Sequence, residues 1–395
     1  MSDAAHTYDA THIEVLEGLE VVRKRPGMWV GSTGERGLHQ MVFEVVGRAV
    51  NENVAGRAGS VAVALMPDGE VRVTDDGPGV PAEAVGEAVG EAVGPCLEDM
   101  LTRIHAQQDA GGRRAIAVSP LGNGLGLGVP NALASSLTAE VRRDGVRWVQ
   151  VYARGVAVGP PTAAGPAVGS GITLAFRPDA GIFETVECSF DVLAERFREL
   201  AFLNKGLDIT LSDERSAGEC RSERFHSPGG ARDFVLLLGE GRGTGALVQT
   251  DVIGFEREDP RMAGAVEVAL QWRDSDEERV RTYANSRPTP EGGTHAEGFR
   301  DGVAAAVNAY ARQRRLLTSA DADLGADRIG KGLTAVVSVK LDQPGFRGAT
   351  CAELDNTEAR FCVEEAVREH LGMWLERHPE QAAAVIGRRR AGGGR

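Results

Sequence analysis

A chain of 395 residues, 42% hydrophobic and 5% aromatic, has room for two or three domains with real cores. A formal net charge of −13 argues against the body of the protein wrapping duplex DNA unaided. Five widely spaced cysteines (Cys96, Cys188, Cys220, Cys351 and Cys362) lack zinc or disulfide-framework spacing, and no apolar run approaches the ~20 residues of a membrane span. The expectation is a soluble, cytoplasmic protein with reduced thiols, no membrane association and only doubtful direct contact with DNA.

In chain order, residues 1–11 are polar and read as an arm. A helix over about 13–23 follows, capped by Asp9 or Thr11 and stopped by Lys24-Arg25-Pro26-Gly27. Residues 41–55 form the next helix: Met41, Val42, Val45, Val46, Ala49, Val50 and Val54 recur at helical steps. Glu44 interrupts that apolar run, and Arg48 lies one turn later on the same face, positioned to pair with it. A hairpin comes next: Val61, Val63 and Leu65 alternate, Pro67-Asp68-Gly69 turns, and Val71 and Val73 lead to Asp75 and Asp76. Gly77, Gly79 and Val80 follow those carboxylates; glycine lets a ligand approach the backbone, although Asp and Gly are also ordinary turn residues.

An Ala/Gly/Glu stretch from Ala82 reads as loosely helical into LTRIHA. The run Gly122-Asn123-Gly124-Leu125-Gly126 then precedes a helix near Pro130, which offers backbone amides of the kind that suit phosphate. Strands are expected over 137–153, with a turn at Asp144-Gly145, and over 171–177, and a helix over 190–203. A polar hinge near 215–232 leads to strands near 246–256, 264–272, 279–285 and 333–341 and helices near 295–314 and 357–376. The basic end, residues 387–395, reads as disordered.

The stretches YDATHIEVLEGLEVVRKRPGMWVGSTGERGLHQMVFEVV, TDDGPG, AFLNKGLDITLSDER, EGGTHAEGFR and GLTAVVSVK resemble the N-terminal half of the gyrase B family, from about Tyr8 to about His378. The resemblance implies an α+β chain: a GHKL (Bergerat-type) ATP-binding α/β sandwich over 12–218, then a ribosomal-S5-like transducer over 219–386. The metal-binding Toprim part of the family is not in the sequence. By match, Glu44 is the general base for attack on the γ-phosphate, and Asp75 accepts from the adenine amino group with Gly79 beside it. Tyr8 and Ile13 belong to an arm that crosses to a second protomer, and Arg143 edges the pocket where coumarin-type inhibitors bind.

The departures from that family fall in the same site. The asparagine that would hold Mg²⁺ is Arg48, and a guanidinium cannot ligate a metal. The Gln-Thr-Lys loop is Ala349-Thr350-Cys351, and the His-Ala-Gly-Gly-Lys element is His105-Ala106-Gln107-Gln108-Asp109. A pocket tyrosine becomes Ile116, an adenine-binding threonine becomes Ile172, and the arginine of Asp-Asp-Gly-Arg-Gly becomes Pro78. The resemblance therefore implies a pocket for ATP or another small ligand, with Mg²⁺ doubtful and hydrolysis impaired. A homodimer through the arm and contact with gyrase subunits are the partners it implies. Alternatives are an enzyme on another small molecule, with Glu44 as acid/base and Arg48 as anion anchor, and a decoy for gyrase-directed antibiotics.

Overall fold

The structure, a computed structural model, describes residues 18–82, 96–104, 126–216, 220–240, 251–348 and 351–391. The alternation of valines sets the first sheet. Strands Ser60–Leu65 and Val71–Asp75 pair antiparallel with Val63 opposite Val73 and Val61 opposite Asp75. Among the described residues the sheet has nine strands. In spatial order these are Val156–Ala157, Val146–Ala153, Ala134–Arg143, Gly171–Pro178, Val71–Asp75, Ser60–Leu65, Asp208–Asp213 and Arg221–His226, with Thr162–Pro166 added against Val146–Ala153. Strand Ser60–Leu65 runs parallel to Asp208–Asp213, so the middle of the sheet joins segments almost 150 residues apart.

One face of this sheet is covered by helix Glu35–Val54, hereafter the site helix, and by helix Phe190–Leu203. The site helix buries Met41, Val42, Val45, Val46, Ala49 and Val50 of the stripe read from the sequence, and adds Leu38 before them. Before it, the Lys24-Arg25-Pro26-Gly27 stop separates two short helices, Glu20–Lys24 and Gly27–Val30.

Two expectations are corrected. Residues 221–226, assigned to a polar hinge, form the edge strand of the first sheet, paired with Asp208–Asp213. Their polarity reflects an edge whose side chains are mostly exposed, Phe225 alone being fully buried. The basic end, read as disordered from 387, is helical in its first part: Pro379–Ala391 is a helix whose Ala382, Val385 and Ile386 form a buried stripe.

The second unit pairs Ile253–Asp259, Gly264–Trp272, Leu333–Leu341, Arg279–Ala284 and Arg287–Pro288 in one sheet. Helices Thr294–Gln313 and Thr357–Arg377 pack together in its core. Gly298 makes that packing possible, because a Cβ there would lie 2.2 Å from the Arg360 carbonyl oxygen. Helix Ala231–Glu240, absent from the sequence reading, covers this sheet at Gly264–Trp272 and Leu333–Leu341.

The two units meet along a built seam. Asn285 and Ser286 adopt φ of 49° and 62°, two successive left-handed residues that make the tight turn between Arg279–Ala284 and Arg287–Pro288. The turn docks on helix Phe190–Leu203: Arg196 donates to the Ser286 carbonyl at 2.9 Å, and Asn204 donates to the Ser286 hydroxyl at 3.1 Å. The Tyr283 hydroxyl donates to Glu199 at 3.1 Å, and Phe202 stacks on Phe234 with centroids 4.9 Å apart.

Candidate functional site

The site helix carries Glu44 and Arg48 inward, each 6% exposed, toward the end of strand Val71–Asp75. Helical spacing alone pairs Arg48 with Glu44. In the structure Arg48 Nη1 instead donates to Asp75 Oδ2 at 2.5 Å, while Asp75 Oδ1 accepts from the Gly77 amide at 2.9 Å. The two side chains are 7% and 3% exposed, so this is a buried ion pair. Glu44 accepts from Gln40 Nε2 at 3.1 Å. The metal position of the resemblance and its adenine acceptor therefore hold each other.

The neighbouring carboxylate has a different task. Asp76 accepts from the amides of Gly59 and Ser60 at 2.8 and 3.0 Å and from the Ser60 hydroxyl at 2.9 Å. Burial pushes its carboxyl up, but the Ser60 and Gly59 donors outweigh that and hold it below the ordinary value. It fastens the start of one hairpin strand to the end of the other.

Around the pair, Gly79 takes φ 72°, and a Cβ there would lie 3.0 Å from the Arg142 carbonyl and 3.5 Å from the Arg143 Cβ. The structure thus brings the Gly77–Val80 loop against Arg143, whose half-exposed guanidinium also meets Asp144 at 3.3 Å. Ile172 is fully buried, on the same sheet face as Asp75. Gly126 is described and buried, and leads into the buried helix Gly128–Leu133. Tyr8, Ile13, His105–Asp109, Ile116, Asn123, Gly124, Ala349 and Thr350 lie outside the described residues.

Three contributors are not among the residues singled out from the sequence. Arg142, next to the expected Arg143, donates to the Asp75 carbonyl at 3.1 Å and to Thr173 at 3.2 Å. Strand alternation sends adjacent arginines to opposite faces, and sequence alone does not say which one returns to the loop. Gln40 is one turn before Glu44, and its spacing was a usable signal. Arg287 comes from the second unit and is buried, with its guanidinium hydrogen-bonded to Cys351. Burial pulls Arg287 below the ordinary arginine value; Cys351 opposes this, Arg196 adds to it and Glu44 opposes it again. Cys351 itself is buried, with φ 50°.

These elements match known proteins over nearly the whole chain. Residues 33–179 match the histidine kinase-, DNA gyrase B- and HSP90-like ATPase family, and residues 230–391 match the DNA gyrase B family. The DNA gyrase B protein of Streptomyces coelicolor is 44% identical over 399 residues, which cover 97% of this chain and 57% of that protein. The novobiocin-sensitive DNA gyrase B protein of Streptomyces niveus is 42% identical over 400 residues, 96% of this chain and 58% of that one. The chain thus spans under two thirds of the length of these relatives. The crystal structure of the 43K ATPase domain of Thermus thermophilus gyrase B, in complex with an aminocoumarin, superposes with a TM-score of 0.80 at 31% identity over 95% of both chains. The chain belongs to the gyrase B family, of which it carries the GHKL ATP-binding domain followed by the transducer domain.

Proposed function

We propose that this chain is a ligand-binding member of its family in which Mg²⁺-dependent ATP hydrolysis is impaired or absent, and that it does not act as a topoisomerase on its own. The observation that carries this reading is the buried Arg48–Asp75 pair. Mg²⁺ needs oxygen donors in near-octahedral array, and at the expected position the chain offers a guanidinium already bonded to the nearest carboxylate. The residues present do not fit that ion. Among the described residues no cluster of three His, Cys, Asp or Glu side chains is arranged to hold a metal either.

The pair also bears on the ligand. A base that would reach Asp75 must first detach Arg48, and breaking a buried pair costs about 3–5 kcal/mol, roughly a hundredfold or more in affinity. A phosphate that takes over the released guanidinium offsets part of that cost. The reading is therefore of weak, Mg²⁺-independent binding of an adenine nucleotide or another small anion, with Glu44 held by Gln40. Dimerisation through the arm that contains Tyr8, and contact with gyrase subunits, belong to the same proposal.

Titration of ATP and ADP with and without Mg²⁺, together with turnover, tests it. Binding that is indifferent to Mg²⁺ and turnover near background are expected, and Arg48→Asn should introduce Mg²⁺ dependence. Strictly Mg²⁺-dependent binding with ordinary turnover overturns the proposal.

A second reading, a decoy for gyrase-directed antibiotics, is supported by one observation: Arg143, which the resemblance matches to the edge where coumarin-type inhibitors bind, lies against Gly79, where a Cβ would come 3.5 Å from the Arg143 Cβ, and the related Thermus domain was solved with an aminocoumarin. Tight binding of an aminocoumarin that is lost in Arg143→Ala supports it; absence of binding removes it.

A further inference from the structure

The site helix also borders a cleft whose lining does not include Arg48 or Asp75. A cleft of about 530 Å³ opens along the seam between the two units. Arg36, Gln40 and Phe43 of the site helix form one wall, Arg196 another, and Arg287 with Pro288 the wall from the second unit. The volume is that of small-molecule sites, about 300–1,000 Å³.

Its charge is unusual for this protein. In a chain of net charge −13, the lining holds three arginines against one glutamate, Glu35. His39 adds no charge: burial pushes its imidazole below the ordinary value against the pull of Glu35, and its Nε2 accepts from the Ser189 amide at 2.9 Å. Another cleft, about 760 Å³ in the second unit, has two arginines balanced by two aspartates. Within the seam cleft, Arg196 is fixed by Glu199 and the Ser286 carbonyl, each at 2.9 Å. Arg36 is exposed at the rim and makes no hydrogen bond or ion pair among the described residues. Guanidinium groups above apolar walls recognise planar anions, because the fork matches carboxylate or phosphate oxygens while the ligand body stays dry.

We propose that the seam cleft binds a small organic anion, a carboxylate or phosphate monoester bearing an apolar ring or chain, with its charge toward Arg36 and Arg287 and its apolar part against Phe43 and Pro288. Such a ligand touches both units at once. It also lies one side chain from the base of the family, since Gln40 lines the cleft and donates to Glu44 at 3.1 Å. Its lining does not include Arg48 or Asp75, and the inference stands whether or not a nucleotide binds at Asp75.

Calorimetric titration of the whole chain with benzoate, phenyl phosphate and the neutral benzamide tests it. At least one anion should bind, with benzamide at least about tenfold weaker, and Arg36→Ala should weaken the anion by about tenfold. Val192→Trp, which fills the cleft from a 42% exposed wall position, should abolish binding, whereas Arg377→Ala, on the wall of the second unit's own cleft, should leave it intact. Circular dichroism of each variant checks that it remains folded. The proposal is overturned if neither anion binds, if benzamide equals them, or if Val192→Trp leaves anion binding intact. The tighter of benzoate and phenyl phosphate identifies the headgroup.

Discussion

Arg48 and Asp75 in the first unit and His295 in the second are all more than nine-tenths buried, yet they are kept dry in opposite ways. The first two neutralise each other through a bond of 2.5 Å. His295 shares a 3.2 Å hydrogen bond with the Thr289 hydroxyl, has no partner for Nδ1 among the described residues, and is pushed by burial down to about 3, which leaves it uncharged at neutral pH. The comparison teaches that burial alone says little about function. A buried imidazole near a motif is satisfied by staying neutral, whereas the buried Arg48 guanidinium keeps its charge by pairing with a carboxylate, and that carboxylate is the residue the resemblance matches to the adenine acceptor.

The comparison can be broken most directly at Arg48. Arg48→Ala strands Asp75 without its partner and should cost about 3–5 kcal/mol in urea unfolding. The double variant Arg48→Ala, Asp75→Ala should recover much of that loss, and simple additivity of the two single changes would show that the pair is not coupled. A packing control in the second unit comes next: Gly298→Ala drives a methyl into the Arg360 carbonyl and should cost about 1–3 kcal/mol by thermal unfolding, with no effect on ligand binding.

A smaller and pH-dependent effect belongs to His295. Below the unfolded value of about 6.5 the unfolded chain takes up a proton that the folded chain refuses until about 3, so stability falls as pH drops through that window. The contribution at pH 5 is about 2 kcal/mol relative to pH 7. His295→Asn should flatten the difference between pH 7 and pH 5; an unchanged slope would mean that the imidazole titrates normally. The smallest expected change is Asp76→Ala, which removes the acceptor for Gly59 and Ser60 and should cost about 1 kcal/mol at neutral pH. With its folded value lowered, the Asp76 contribution is present above the unfolded carboxylate value and fades as pH falls below it.

Much of the scaffold was legible because local periodicity and burial agree. The hairpin to Asp75, the helix over 190–203 and the strands 264–272 and 333–341 follow patterns of two or three to four residues. Arg48 as a substituted position was also legible, but its partner was not. The bond to Asp75 spans 27 residues and depends on how the site helix lies over the sheet, while spacing reports only neighbours on the same helix. The edge strand over 221–226 was hidden for a related reason: exposed alternation with few apolar residues reads as loop. Arg287 reaches the site through the fold of another unit, so no motif near Glu44 could announce it.

The parallel pairing of Ser60–Leu65 with Asp208–Asp213 has a consequence in time. A strand in the middle of the first sheet has no neighbour on one side until a segment almost 150 residues later has left the ribosome, a wait of about 7–30 s at ordinary synthesis rates. Until then the hairpin that carries Asp75 keeps an open edge, and the site helix rests on half a sheet. Nascent chains that stall before residue 208 should therefore be the most dependent on chaperones, and a slow-translating message should be the least forgiving between the hairpin and its late partner.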